Sequence, residues 1–200
     1  RRKMKELVFV KRAFVCALAV ALLALGPLGS AGALTVEDYP SFTEVPVATD
    51  TMISSNQTEP EIEGRWVVYE QGAYLIGQDA NVGVYDIATG STTYIDDGDL
   101  DETNPDVAAD RVAFESSTGG GQIWVNDLRT ASFTRVDTGT DVSERPRISA
   151  SHVVWRNVTR NVLQYYDFAT GMTFDVPESA DATHWDTDRG MLLFSVDEND

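Results

Sequence analysis

The sequence predicts an all-β protein: a β-propeller of four-stranded antiparallel blades, three of them complete and a fourth begun. Two observations carry this expectation. One pattern recurs three times in register. It reads Pro60-Glu61-Ile62, Val67-Val68-Tyr69 and Tyr85-Asp86-Ile87-Ala88-Thr89-Gly90. It then reads Pro105-Asp106-Val107, Val112-Ala113-Phe114 and Asn126-Asp127-Leu128-Arg129-Thr130. The third copy is Pro146-Arg147-Ile148, Val153-Val154-Trp155 and Tyr166-Asp167-Phe168-Ala169-Thr170-Gly171. The second observation is the spacing: the prolines lie 45 and 41 residues apart and the aspartates 41 and 40. A period of about 40 built from short alternating segments corresponds to one blade per repeat.

Each blade is assembled from four short strands. A first strand surrounds Ile62, Val107 or Ile148. A second carries apolar residues two apart, at Val67 and Tyr69, Val112 and Phe114, or Val153 and Trp155, which puts each pair on one face. The third follows the same rule at Val82 and Val84, Ile123 and Val125, Leu163 and Tyr165. The fourth runs over 92–95, 133–136 and 173–176. Between the last two strands, Asp86 to Gly90 and Asp167 to Gly171 form tight turns, in which Asp accepts backbone N–H bonds and Gly supplies a positive φ. The middle repeat has Arg129-Thr130-Ala131 without the glycine, so that hairpin is expected to be slightly strained or differently shaped. The pattern begins a fourth time with Trp185 in the proline position and Leu192 and Phe194 at the apolar positions. The expected blade boundaries are therefore 58–102, 103–143, 144–183 and an incomplete 184–200. Sheets of this size cannot bury both faces alone and must stack on their neighbours.

Upstream of the repeats, residues 1–33 read as a secretory signal peptide. Basic residues precede an apolar run from Ala13 to Leu28, and Ala31-Gly32-Ala33 offers a small-residue cleavage site. A retained membrane anchor is the alternative, but the run of 16 residues falls short of the roughly 20 needed to span a bilayer. Residues 34–57 are a linker with a closing strand near 42–47. The chain is thus expected outside the cell or at its surface, with no membrane association of the mature part.

The whole chain has a formal charge of −17, with 15 Lys+Arg and 32 Asp+Glu. Beyond residue 33 there remain 9 basic and 31 acidic residues, a net charge of −22, and all nine cations are arginine. Such a surface repels nucleic acid and anionic lipid. Abundant carboxylates with no lysine resemble the composition of proteins from salt-loving organisms. The sole cysteine, Cys16, lies in the leader, so the mature chain has neither a disulfide nor a thiolate metal site.

The candidate chemistry is sparse. Asp97, Asp99 and Asp101 alternate around Gly98 and are the candidate calcium ligands, although the bidentate Glu that completes a calcium loop is missing. Asn56 and Asn157 stand in Asn-x-Thr triplets and are candidate glycosylation acceptors, with Asn157 expected on an accessible hairpin. Trp124 is expected to be exposed and is the candidate for ligand contact, whereas Trp155 shares a core column with Tyr69 and Phe114. His152 is expected on the exposed side of a strand, and His184 lies beside Trp185. No Gly-x-Ser-x-Gly element is present, so no catalytic residues and no cofactor are assigned.

Pro-x-Ile/Val, an apolar strand, and Ile/Val-x-Val-x-Asp-Leu-x-Thr-Gly together resemble the TolB-type β-propeller repeat, and above all its extracellular variety in prokaryotic surface proteins. The resemblance covers residues 58–200. It implies a non-enzymatic binding or scaffold module with a protein or glycan partner at the cell surface. It also leaves two alternatives: the amino-terminal gating propeller of a prolyl-oligopeptidase-like serine peptidase, or a periplasmic partner of an envelope complex. Mutual repulsion among 31 carboxylates is relieved by screening. The melting temperature is therefore expected to rise between low and molar KCl, as thermal unfolding followed by circular dichroism would show.

Overall fold

In the computed structural model, residues 3–7, 57–72, 79–95, 100–117 and 120–196 are described. They form fifteen strands, and no α-helix occurs among them. The first sheet holds β2 (Gln57–Glu63), β3 (Trp66–Gln71), β4 (Asn81–Asp86) and β5 (Ser91–Ile95). The second holds β6 (Glu102–Ala108), β7 (Arg111–Ser116), β8 (Gln122–Asp127) and β9 (Ser132–Arg135). The third holds β10 (Ser143–Ile148), β11 (His152–Asn157), β12 (Val162–Asp167) and β13 (Met172–Asp175). Within each sheet the strands pair antiparallel in chain order. The fourth sheet contains β14 (Ala182–Asp188) and β15 (Met191–Val196). The first strands begin one or two residues ahead of the expected boundaries.

One strand departs from the expected organisation. Residues Lys3–Leu7 form β1 and pair antiparallel with β15 from Lys3↔Val196 to Leu7↔Leu192. This strand falls inside the segment read as a leader. The far edge of β15 offers unpaired backbone N–H and C=O groups, which any extended segment can satisfy. The closing strand near 42–47 lies outside the described residues.

The sheets are held together face to face. Val68, Val82, Val84 and Ile95 of the first sheet pack against Val107, Val112 and Phe114 of the second. Ala113, Ile123, Val125 and Val136 of the second pack against Ile148, Val153 and Trp155 of the third. Val154, Leu163 and Val176 of the third pack against Ala182, Leu192 and Phe194 of the fourth. Consecutive residues on the second strand of a blade thus serve opposite neighbours, which is the pleat used on both faces. Of the apolar pairs predicted, Tyr69, Val82, Val84, Val112, Phe114, Ile123, Val125, Val153, Trp155, Leu163, Leu192 and Phe194 are buried, while Val67 and Tyr165 are half-buried. Where no sheet among the described residues covers the face, exposure follows: Ile62 is 67% exposed, against 5% and 4% for its equivalents Val107 and Ile148.

Two local details explain why the repeats are not identical. Gly83 sits opposite Tyr69 in register, and a side chain there would run into the Tyr69 ring, which lies flat across it. The turn from β4 to β5 ends at Gly90 (φ 69°) and that from β12 to β13 at Gly171 (φ 66°), while Ala131 occupies the same place at φ 54°. The hydrogen bonding is nevertheless kept, since Ala131 N donates to Asp127 O at 2.8 Å just as Gly90 N does to Asp86 O. The middle turn is therefore the same turn held under strain, as expected, because an L side chain in the left-handed region costs about 1–2 kcal/mol. Replacing Ala131 with Gly should raise the unfolding free energy by about 1 kcal/mol, measurable by urea denaturation.

Candidate functional site

The strands β2, β6, β10 and β14 each form one edge of their sheet and adjoin one another. They are the innermost strands, lining the hub. Each carries a register shift at or next to the proline position, between Thr58 and Glu61, Thr103 and Asp106, Glu144 and Arg147, and Ala182 and His184. Proline has no N–H to give the ladder, so a bulge is where a strand tolerates it. The residue before each proline takes a left-handed conformation: Glu59 at φ 49°, Asn104 at 50° and Arg145 at 54°.

These turned-out residues are gripped from the preceding blade. Glu70 Oε2 accepts from Asn104 N at 3.4 Å, and Glu115 Oε2 accepts from Arg145 N at 3.2 Å and from Asn104 Nδ2 at 3.0 Å. Burial pushes the Glu115 carboxyl above its ordinary range; the bonds from Arg145 and Asn104 oppose this, and the nearby Glu144 and Glu70 reinforce it. The signal for these clasps was present in the sequence, since Glu70 and Glu115 both follow their proline by ten residues. In the third blade Arg156 takes that place and donates to Ala182 O instead.

Just past each bulge lies a row of polar groups on four adjoining strands: Glu61, Asp106, Arg147 and Asp186. Asp106 ties two blades together. Its Oδ1 accepts from its neighbour Val107 N at 2.8 Å, and its Oδ2 accepts from Ile148 N of the third blade at 2.7 Å. Burial raises its pKa from the usual 3.8 to about 6; the bonds from Ile148 and Val107 and the charge of Arg147 hold it lower, while Glu61 adds to the rise. Asp186 repeats the local half of this arrangement, accepting from Thr187 N at 2.8 Å. Blade three breaks the acidic run, because Arg147 follows its bulge and Arg145 precedes it. Arg145 lies over the Trp185 ring at 5.1 Å, and Trp185 Nε1 donates to Arg145 O at 3.1 Å. Two of the nine arginines beyond residue 33 thus stand on β10, Arg147 close enough to Asp106 of the second blade to lower its pKa. This layout suits recognition of a segment that carries both charge signs.

The residues singled out from the sequence fall elsewhere. Asp97, Asp99 and Asn56 lie outside the described residues. Asp101 uses Oδ1 to accept from Ala80 N at 2.8 Å, tying the start of β4 in the first blade to the entry of the second. Among the described residues no group of three or more His, Cys, Asp or Glu side chains is arranged to hold a metal ion. Three expectations are corrected. Asn157 is 1% exposed, and its Nδ2 donates to Asp141 Oδ2 at 2.9 Å and to Gln164 Oε1 at 3.0 Å. The amide that a glycan would need is therefore not accessible; it organises the turn, with Oδ1 accepting from Arg160 N. Trp124 is half-buried against the core between the first two blades, because the neighbouring sheet covers the face that alignment within one strand had left open. His152 is buried as well, linked to Thr187 of the fourth blade by a 2.6 Å hydrogen bond. His184 is exposed, with Nδ1 3.1 Å from Thr183 Oγ1.

The hub carboxylates set a pH dependence of defined sign. Asp106 binds its proton more tightly folded than unfolded, so it removes stability as pH rises from about 4 to about 6. The loss is up to about 3 kcal/mol. The opposite holds for Asp86, held low first by its bond from Arg65, and for Asp110, held low first by Trp66 and then Arg129; their contribution is lost in more acidic solution, below 3.8. Asp106→Asn should therefore flatten the decline in unfolding free energy between about pH 4 and 6 while leaving the acid limb in place. Urea titrations across that range would measure it.

No protein-family model matches the sequence, and no curated protein matches it. Solved structures do. The fold is similar to the β-propeller domain of the Trilobed protease from Pyrococcus furiosus, at 14% identity over 73% of this chain and 50% of that one, with a TM-score of 0.54. It is similar to a putative TolB from Agrobacterium tumefaciens, at 17% identity over 72% of this chain and 58% of that one, with a TM-score of 0.53. The computationally designed Ika4 protein matches at 15% identity over 76% of this chain and 92% of its own, with a TM-score of 0.55. The chain spans 50% and 58% of the two natural propeller structures. At such identities the likeness speaks for fold. The chain has a TolB-like β-propeller fold, of which the described residues supply three complete four-stranded blades and two strands of a fourth.

Proposed function

We propose that this chain is a non-enzymatic binding propeller, exported to the cell surface, whose hub rim engages a polypeptide segment of mixed charge. The observation that carries this reading is the row Glu61, Asp106, Arg147 and Asp186, at equivalent positions just past the register shifts of four adjoining strands. Binding groups placed on a rigid frame lose little entropy when a partner docks. The frame here is rigid because both faces of the inner blades are packed and the bulged strands β6, β10 and β14 are each bonded from the preceding blade. A protein partner is favoured over a glycan. Trp124, the one aromatic side chain offered as a platform for sugar rings, is turned into the core between blades. The export signal read at residues 1–33 supports a location outside the cytoplasm.

A second reading, a gating propeller attached to a serine peptidase, draws support from the likeness to the Trilobed protease propeller domain. In that case the hub would act as a passage, and charge reversal at its rim would alter which peptides pass.

The test is fluorescence anisotropy with labelled peptides of alternating Lys and Glu, against neutral Gly-Ser peptides of equal length. The mixed-charge peptide should bind, weaken with added salt, and lose at least about tenfold in affinity, about 1.4 kcal/mol, in Arg145→Glu/Arg147→Glu. Equal affinity for the neutral peptide, or no change on charge reversal, would overturn the reading.

A further inference from the structure

The turn between β10 and β11 carries an arrangement that the binding reading does not use. Ser151 is exposed, and the adjacent His152 is buried. Ser151 Oγ lies 2.9 Å from His152 Nδ1, and on the other side of the ring His152 Nε2 lies 2.6 Å from Thr187 Oγ1. Thr187 has one hydroxyl proton, which it donates to the Met191 carbonyl at 2.8 Å. Towards His152 it can therefore only accept, so the ring proton sits on Nε2. In the neutral ring the Nδ1 lone pair then points at the Ser151 hydroxyl. A nucleophile, a base and an orienting group thus stand in one hydrogen-bonded line. The following turn comes close at Gly190, where a Cβ would lie 3.7 Å from Ser151 Oγ; the glycine leaves that approach open.

We propose that Ser151 is an activated serine that accepts an acyl group from a small activated ester, with His152 as general base and Thr187 as the residue that positions it. In the step, Ser151 Oγ forms a bond to the acyl carbon while its proton passes to His152 Nδ1. The ester bond to the leaving alcohol breaks, and the proton on Nδ1 is given to the departing oxygen. The products are an O-acyl serine and a free alcohol, with no oxidation or reduction. The charged and titratable groups on the elements packed around the ring are Asp167 and Tyr165 of β12 and Asp186 and Asp188 of β14, with Arg189 in the turn that follows. The Tyr165 ring meets the imidazole edge-on at 6.2 Å.

The probe is p-nitrophenyl acetate with the full 200-residue chain, read by release of p-nitrophenol and by mass spectrometry of tryptic peptides. One acetyl group is expected on Ser151, in the peptide between Arg147 and Arg156. The acetylation rate should rise with pH along the ionisation of one imidazole and fall at least about 100-fold in Ser151→Ala. Thr187→Val should lower the rate comparably and Thr187→Ser should restore it, with circular dichroism reporting whether each variant is folded. Because Ser151 is exposed, its replacement leaves the packing intact and remains informative even if the Thr187→Val chain does not fold. Acetyl found only on other residues, a rate unchanged in Ser151→Ala, or a folded Thr187→Val that reacts like the parent would overturn the proposal.

Discussion

Every blade of this protein is a sheet with two apolar faces, and neither face can be buried from within the blade. Val112 and Phe114 point one way and Ala113 the other, so β7 alone contributes to two separate cores. The favourable term is the removal of this surface from water, at roughly 25 cal/mol per Å², and it exists only where a second sheet stands opposite. The difference between Ile62 and its equivalents Val107 and Ile148 is the direct expression of that dependence: same position in the repeat, same residue class, opposite exposure. Stacking is thus prior to everything else, because it fixes where the inner strands run and hence where their charged groups stand.

Polar links between blades set the register of that stacking. Dispersion and hydrophobic contact are indifferent to small slides of one face over another, whereas a hydrogen bond is not. Glu70 and Glu115 each reach the main chain of the next blade at the bulge, Asp106 reaches Ile148 N, and Trp66 Nε1 reaches Asp110 at 2.7 Å. The last seam uses other groups, Arg156 to Ala182 and His152 to Thr187. The raised pKa of Asp106 is the electrostatic consequence of placing a carboxylate within such a seam, where the two amide bonds and the Arg147 charge offset only part of the burial.

The fold was legible because period 2 inside strands and a period near 40 between prolines are properties of the sequence alone. Strand order, turn chemistry and the core residues Val112, Trp155, Leu192 and Phe194 followed from them. The site was much less legible. Trp124 and His152 were misjudged because alternation along a strand tells which face a residue occupies, not whether a neighbouring sheet covers that face. Asn157 was misjudged because a triplet pattern says nothing of where the amide hydrogen bonds. The charged row was visible only as the residue after each proline, and its meaning needed the four strands to be brought side by side. The line from Ser151 through His152 to Thr187 joins residues 36 positions apart across a blade boundary, a distance over which no short motif operates.

At the bulges Glu70 and Glu115 hold main-chain N–H groups, those of Asn104 and Arg145, and Glu115 also holds the Asn104 side-chain amide. Asn104 and Arg145 are gripped alike although they share no chemistry. The main-chain bond at Arg145 does not depend on its side chain, so substitution there changes what the inner strand presents while that bond is kept. The molecule thereby separates two kinds of variation: residues that keep the sheets together lie in the seams, while side chains presented by the inner strands can drift, and acquire new partners, at less structural risk.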